Sequence, residues 1–578
     1  MSLKQLLLPL IRLNPTSYSL SAAFWTAFLM LQLIPPLIVR NIFDGLTNSA
    51  VSGINVSTLL ALFVAVSIGR LVLTSAAVFG DITYKYTAGA ALRKNMFGSL
   101  MKQPINAVTA VSSGEAVSRF RDDVDQMVEF ALAAPFVLGQ MVFMVLAVIV
   151  MVHISVLMTV VVVAPVLGVV VIVQQFSRLI ERYRHNMRLT SGRVDELLGE
   201  IFNGWLSIVI GNAQAGVVNR LMETNQHRRK AMRRDQSLST LMSAMSLNTS
   251  NLGTGIMLLI GAHLMQTRAF TVGDFALFIN YLYYVTGLPV WLGQFLTTRR
   301  QTAVAQTRLV SLTGTPSVGV IATHARSRKP QGGIQVMQGP LETFEVRDLR
   351  FEYAVECGIR NVSFSLPRGS ITVITGRVGA GKTTLLRCAL GLLPLQSGTI
   401  WWNGHRVVDP RAFLASPRCG YVPQVPQLFD DTIRQNILLG YSTNELELQQ
   451  AVRLAVLEED IAMMAGGLDA SVGSKASRLS GGQIQRVAVA RALVRAPELL
   501  VMDDVSSALD AATEQMIWDR ITGPRRGTCL IVSHRLGIME RADHIIVLSE
   551  GKIHAQGTLA FLLKHDSEMQ QIWATHER

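Results

Sequence analysis

At 578 residues the chain is too long for one hydrophobic core and implies at least two domains. Hydrophobic residues make up 49% and charged residues only 16%, below the roughly 25% charged of soluble domains; with a mean hydropathy of +0.34 this excludes an ordinary soluble enzyme and points to a membrane protein. The net charge of +13 would suit nucleic acid or an anionic membrane surface, and the position of the charges decides between them.

Six apolar segments come first: Tyr18–Val39, Val56–Phe79, Phe130–Val152, Val156–Val173, Leu241–Met265 and Phe275–Leu296. Most approach the roughly 20 residues that cross a hydrocarbon core. The first lacks a small-residue cleavage site and reads as a retained anchor, not a signal peptide. Only His153-Ile154-Ser155 divides the third from the fourth, which predicts a tight helical hairpin. Lys85, Arg93, Lys94, Lys102, Arg119 and Arg121 lie between the second and third segments. Arg178, Arg182, Arg184, Arg188, Arg193, Arg220, Arg228, Arg229, Lys230, Arg233 and Arg234 lie between the fourth and fifth. The opposite loops are nearly free of basic residues. Basic loops stay cytoplasmic, so both termini are expected inside, and the charge is explained without a nucleic-acid partner.

Helical spacing continues through Arg182–Arg234, so the membrane helices are expected to project into the cytosol. Arg70 falls near the middle of the second segment, where a charge costs about 2.5–3.5 kcal/mol. It reads first as a packing or snorkelling residue and second as a cavity residue. Gln140, Asn248, Asn251 and Asn280 also sit within spans and read as packing groups.

Residues 313–341 are rich in proline and glycine and read as a linker between a membrane domain, 1–312, and an α/β domain, 342–578. All four cysteines, Cys357, Cys388, Cys419 and Cys529, lie beyond the linker without metal-ligand spacing, as expected of reduced thiols. Short β-like runs, Thr343–Val346, Leu349–Tyr353 and Val362–Leu366, open the second domain.

Gly376-Arg377-Val378-Gly379-Ala380-Gly381-Lys382-Thr383 then matches G-x-x-x-x-G-K-[ST] at every defined position, with a strand expected before it and a helix from Thr384 after it. Such a loop curls backbone N–H groups round phosphate oxygens at a helix N-terminus. Lys382 would reach the β- and γ-phosphates, and Thr383 would place a hydroxyl on Mg²⁺. Downstream come Tyr421-Val422-Pro423-Gln424, Leu479-Ser480-Gly481-Gly482-Gln483 before a helix, an apolar strand ending in Asp503-Asp504, then Ser507-Ala508-Leu509-Asp510, and Ser533-His534 after another strand. An apolar strand ending in two carboxylates puts them at the edge where α/β sheets bind ligands. A metal at the phosphates needs a hydroxyl and a carboxylate, which Thr383 and Asp503 supply.

In this order the motifs resemble those of the ATP-binding cassette family, in the exporter arrangement with six membrane helices fused ahead of one cassette. The fold implied is a polytopic α-helical membrane domain with long cytoplasmic extensions, followed by an α/β phosphate-loop ATPase domain. The resemblance assigns Tyr353 to adenine stacking and Gln424 to sensing Mg²⁺ and the γ-phosphate. It makes Ser480, Gly481, Gly482 and Gln483 a signature that closes over a partner cassette's ATP. It gives Asp503 to Mg²⁺, Asp510 to communication across the dimer, and His534 to the γ-phosphate. Ser113–Phe120 resembles the stretch before a coupling helix.

Two positions depart from the family. Asp504 stands where active exporter cassettes usually carry Glu, and Ser474 replaces an acidic residue ahead of the signature. The first favours a heterodimer with one weakened site over a homodimer with a slow one. The expectation is an ATP-driven half-transporter that pairs with a second half-transporter in the lipid bilayer, using ATP and Mg²⁺ to export an unidentified substrate. Its expected home is a bacterial inner membrane. An ATP-gated channel or regulatory subunit is the alternative.

Overall fold

The structure is a computed structural model and describes residues 3–47, 55–103, 111–266, 270–323, 339–354, 357–415, 417–473, 476, 478–523 and 527–576. Its contacts divide the chain into two units, Met1–Gln103 with Val111–Ser327, and Pro104–Ala110 with Arg328–Arg578.

The first unit is helical throughout its described residues. After α1 (Leu3–Ile11), the first apolar segment is not one rod but two: α2 (Pro15–Leu31) and α3 (Ile34–Leu46). Pro35 and Pro36 have no N–H to continue the ladder, so the chain restarts there with its prolines in the first turn. Then follow α4 (Val56–Leu100), α5 (Ser113–Ser118), a π-helical turn at Arg119–Asp123 and α6 (Val124–Ile154). The stretch likened to a coupling-helix approach therefore opens the third long helix, while residues 104–110 lie outside the description.

The predicted hairpin is tighter than three residues. Ser155 alone separates α6 from α7 (Val156–Asn203), with extended φ and ψ of −157° and 113°, and its hydroxyl accepts from the Met158 N–H. A bend carrying α8 (Trp205–Ile210) leads to α9 (Gln214–Gln266), and α10 (Val272–Thr313) and α11 (Val318–Thr323) complete the unit. Among the described residues, Pro15–Leu46, Val56–Leu100, Gly114–Ile154 and Val272–Thr313 are long and apolar enough to cross a membrane. The other two apolar segments each form one end of α7 and α9. At 48 and 53 residues these helices run about 70–80 Å, more than twice a hydrocarbon core, so each has a long extension outside it.

Arg70 has no acidic partner among the described residues; its guanidinium lies over the Phe28 ring at 5.2 Å, joining α4 to α2. The span amides close on their own helices, Asn248 onto the Ala244 carbonyl and Asn280 onto Ala276, both at 2.8 Å. The start of the expected linker is folded: Ile321 of α11 is fully buried with Leu10, Tyr84, Leu92 and Leu309.

In the second unit the runs 343–346 and 349–353 join into one strand, β1 (Thr343–Ala354), because a bulge at Asp348, φ 53°, keeps both on the same ladder. With β2 (Cys357–Pro367), β4 (Ser397–Trp402) and β5 (His405–Arg406) it forms an antiparallel sheet ordered β2-β1-β4-β5. The second sheet takes β3 (Ile371–Thr375), β6 (Cys419–Val422), β7 (Leu499–Asp503), β8 (Thr528–Val532), β9 (His544–Ser549) and β10 (Lys552–Gly557), ordered β10-β9-β3-β8-β7-β6. Strands β3, β7 and β8 are buried at every residue and pair in parallel, as continuous apolar runs covered on both faces must. None of the four cysteines is in a disulfide, and burial pushes the Cys388 and Cys419 thiols up to about 12.

Candidate nucleotide site

The site grows from the C-terminal ends of β3, β7 and β8, which lie side by side. After β3 the chain turns at Gly376, whose φ is 141° and where a Cβ would stand 2.0 Å from the Leu548 carbonyl oxygen. No side chain fits there. Val378, 97% exposed, stands clear of the packed core, and Gly379 and Ala380 return the chain to Gly381, left-handed at φ 97°, which caps the helix Lys382–Ala389. The glycines thus serve close approach and the helix start at once.

Lys382 folds back over the loop and donates to the carbonyls of Gly376 at 2.7 Å and Arg377 at 2.8 Å. Burial lowers its pKa, and the charges of Asp504 and Asp503 work against that shift. Thr383 Oγ1 donates to Asp503 Oδ1 at 3.1 Å, and Thr384 follows in the first helical turn. Asp503 is 1% exposed, and its Oδ2 has no hydrogen-bond partner among the described residues. Burial accordingly raises its pKa. A buried carboxylate oxygen left open beside a hydroxyl, at the mouth of a phosphate loop, fits a hard divalent cation.

Strand register brings the next pair together. Val422 of β6 pairs with Met502 of β7, so Gln424 and Asp504, each two residues on, meet: Gln424 Nε2 donates to Asp504 Oδ2 at 3.2 Å. Asp504 is left-handed at φ 48°, ψ 51°, and its N–H donates to Val532 of β8 at 3.0 Å. Burial raises the pKa of this carboxyl also, opposed by the Gln424 bond and the Lys382 charge. His534 follows Ser533, whose N–H donates to Ile374 of β3 at 3.2 Å, so His534 comes just past the sheet edge beside the strand that feeds the loop. Tyr353 is 53% exposed and packs edge-on to Phe351 at 4.8 Å. It follows Glu352, whose partner Gly358 lies against Gly381, so this end of β1 runs beside the loop.

The signature residues each have a structural task. Ser480 caps the helix Gly481–Leu493 and accepts from the Gln483 N–H at 3.3 Å, while Gln483 Oε1 accepts from the Ser480 N–H at 2.9 Å. Gln483 Nε2 also donates to Asp460 at 2.8 Å, so its side chain is fully committed within the chain. Gly482 lies beneath the Ala508 carbonyl, 3.1 Å from where a Cβ would stand. Asp510 caps the helix Ala511–Ile521 through the Thr513 N–H at 2.9 Å, which holds its carboxyl below the usual range. Ser474 lies outside the described residues.

Sequence reading missed the residues that hold these loops. Asp460 ties Gln483 to Arg486 through a 2.5 Å ion pair. Fully buried Asn436 accepts from the Phe429 N–H at 2.8 Å and from Arg491 at 3.2 Å, fixing the segment beyond Gln424. Gln571, on the helix Ser567–His576, accepts from Arg377 of the phosphate loop at 2.9 Å. None carries a local signal, because each pairs with a residue distant in sequence.

A phosphate loop, a hydroxyl–carboxylate pair and a second acid joined to a glutamine are the parts of an ATP-hydrolysing cassette, which follows the helical membrane unit in the chain. Two family models match, "ABC transporter" over residues 359–507 and "ABC transporter transmembrane region" over 23–288. The chain belongs to the ABC transporter family, as a half-transporter with one membrane domain fused to one nucleotide-binding domain. It is 32% identical over 363 residues to the mitochondrial iron-sulfur clusters transporter atm1 of Neurospora crassa, covering 61% of this chain. The match spans about half, 49%, of that relative's length. It is 27% identical to the ATP-dependent lipid A-core flippase of Photobacterium profundum, over 94% of this chain and 92% of the flippase. A bacterial Atm1-family ABC exporter solved with ATP bound has the same fold, with a TM-score of 0.80, 22% identity, and coverage of 97% of this chain and 99% of that one.

Proposed function

We propose that the chain is one half of a dimeric exporter and couples MgATP binding and hydrolysis to outward movement of a substrate, with both termini in the cytoplasm and a bacterial inner membrane as its home. The reading rests above all on Asp503, a buried carboxylate with one oxygen on Thr383 and the other open at the phosphate loop. Thr383 and Asp503 would hold Mg²⁺, which when bound draws charge from the β- and γ-phosphates. Lys382 exchanges the loop carbonyls for phosphate oxygens, and Gln424 and Asp504 orient the attacking water. His534 contacts the γ-phosphate, and Tyr353 stacks on adenine. Ser480, Gly481 and Gly482 close over ATP held by the other subunit.

The second subunit is a different chain that supplies the longer Glu carboxylate, because Asp504 is one methylene short of the usual Glu. The test is phosphate release by the purified chain alone beside its Asp504→Asn variant. Slow turnover, restored by a Glu-bearing partner, is expected. Robust turnover by the lone chain, abolished in the variant, refutes the heterodimer. Vesicle transport that requires ATP and disappears in Lys382→Ala supports export, whereas conductance without hydrolysis refutes it.

A further inference from the structure

Two features on the α7/α9 pair point to one ligand. The first is a groove of about 460 Å³ lined by Pro165, Gly168 and Ile172 of α7 and by Ala244, Met245 and Asn248 of α9. It is apolar although Asn248 borders it, because that amide is turned onto the Ala244 carbonyl. Pro165 and Gly168 keep side-chain bulk away, and a Cβ built on Gly168 would meet nothing within 4 Å.

The second is charge. Arg182, Arg184 and Arg188 on α7 follow its apolar segment, and Arg228, Arg229, Lys230, Arg233 and Arg234 on α9 precede the next one. The two helices run antiparallel from the bend at α8 and pack together, so these residues share a height: Arg188 is roughly 15 residues, about 22 Å, before the end of α7, and Arg229 equally far past the start of α9. Among the described residues none of the eight has a carboxylate partner. Glu181 of the same stretch is committed to Arg300 at 2.9 Å, and the other acids within about two turns, Asp235 and Glu223 on α9 and Asp195 and Glu196 on α7, are fewer than the cations. Such a concentration of uncompensated cations calls for an external anion.

The spacing identifies that anion. Ile172 to Arg182 is about 15 Å along α7, and Met245 to Arg234 about 16 Å along α9. The apolar segments end at Val173 on α7 and begin at Leu241 on α9, so Ile172 and Met245 mark the basic end of the groove, and the distance beyond them is that of a headgroup layer of roughly 5–8 Å plus an extended Arg side chain. We propose that the α7/α9 pair carries a site for an anionic glycerophospholipid of the surrounding bilayer, with an acyl chain in the groove at Gly168 and Ala244 and the phosphate at Arg182, Arg233 and Arg234. Arg184, Arg188, Arg228, Arg229 and Lys230 lie further out and add a field that salt screens. The site rests on these helices crossing the membrane, not on export or on the nature of the second subunit.

Native mass spectrometry of the full chain released from detergent tests it, with phosphatidylglycerol, phosphatidylcholine of the same chains, and glycerol phosphate as probes. Phosphatidylglycerol is expected to be retained at least about tenfold over phosphatidylcholine. The triple variant Arg182→Gln, Arg233→Gln, Arg234→Gln should lose that preference. Gly168→Leu, which fills open space and leaves every charge in place, should weaken retention of the lipid independently of how the triple variant folds. Equal retention of the two lipids by the unaltered chain overturns the proposal. Binding of glycerol phosphate as tight as that of the lipid, unmoved by Gly168→Leu, overturns the lipid in favour of a soluble phosphate.

Discussion

Replacing Asp504 by Glu adds a single methylene at the point where the cassette departs from its family. The Asp504 carboxylate is held at 3.2 Å from Gln424 Nε2, with its backbone pinned to Val532 at 3.0 Å, so a longer side chain extends outward from a fixed base. One C–C bond advances the carboxylate by about 1.5 Å. Misplacement of about 1 Å can cost on the order of 10² in rate, so regaining reach is expected to raise kcat by a similar factor. That factor equals about 2.7 kcal/mol of barrier. The left-handed backbone at φ 48° suits Asp better than Glu, and the exchange should lower stability by about 1 kcal/mol. The assay is phosphate release by the purified chain at saturating MgATP, with Tm measured in parallel. A kcat within about threefold of the original, in a protein that still melts cooperatively, refutes the view that side-chain length limits this site.

Asp503→Asn should abolish hydrolysis yet raise the Tm of the nucleotide-free protein at neutral pH. Burial raises this carboxyl above 3.8, so the folded state holds the proton more tightly than the unfolded chain, and stability falls as pH rises from that value through the raised one. A variant that melts lower than the original at pH 7, or that keeps the same acid-side slope, contradicts this. Gly376→Ala should destabilise by about 3 kcal/mol or more, because its Cβ would stand 2.0 Å from the Leu548 oxygen. An unchanged melting curve would rule out that close approach. Ser480→Ala removes a helix cap and should cost about 1 kcal/mol by chemical denaturation. Gly481→Ala, which leaves the cap intact and meets only Ala508 at 4.0 Å, should be milder in stability but equally harmful to turnover.

The nucleotide domain was legible in the sequence because its chemistry sits in contiguous motifs, and each motif begins or ends a strand with a recognisable apolar run. Ile371–Ile374 and Leu499–Asp503 read as strands from their apolar runs; Asp503 ends the second, and Lys382 and Thr383 open the helix beyond the loop that follows the first. The pairing of Gln424 with Asp504 was not legible. It depends on the register of β6 against β7, which the sequence between them does not state. Asn436, Asp460 and Gln571 escaped for the same reason. In the membrane unit, apolar length located the spans but not their interruptions. Pro35-Pro36 was visible as a dipeptide, yet the restart of the helix at Ile34 follows only from the backbone. The eight cations of α7 and α9 were read as a topology signal, and their common height emerges only once the two helices pack antiparallel.

Ser155 has a consequence for how the chain is made. With one residue between α6 and α7, hardly any polar backbone must be carried across the bilayer when this pair enters it. The two helices can therefore enter the membrane as a preformed wedge, without waiting for a later segment to draw the tip through. A glycosylation acceptor or epitope placed at Ser155 would load that wedge with polar cargo and stall its entry. The bend at Gly204–Ala213 lies at the far end of α7 and imposes no such limit.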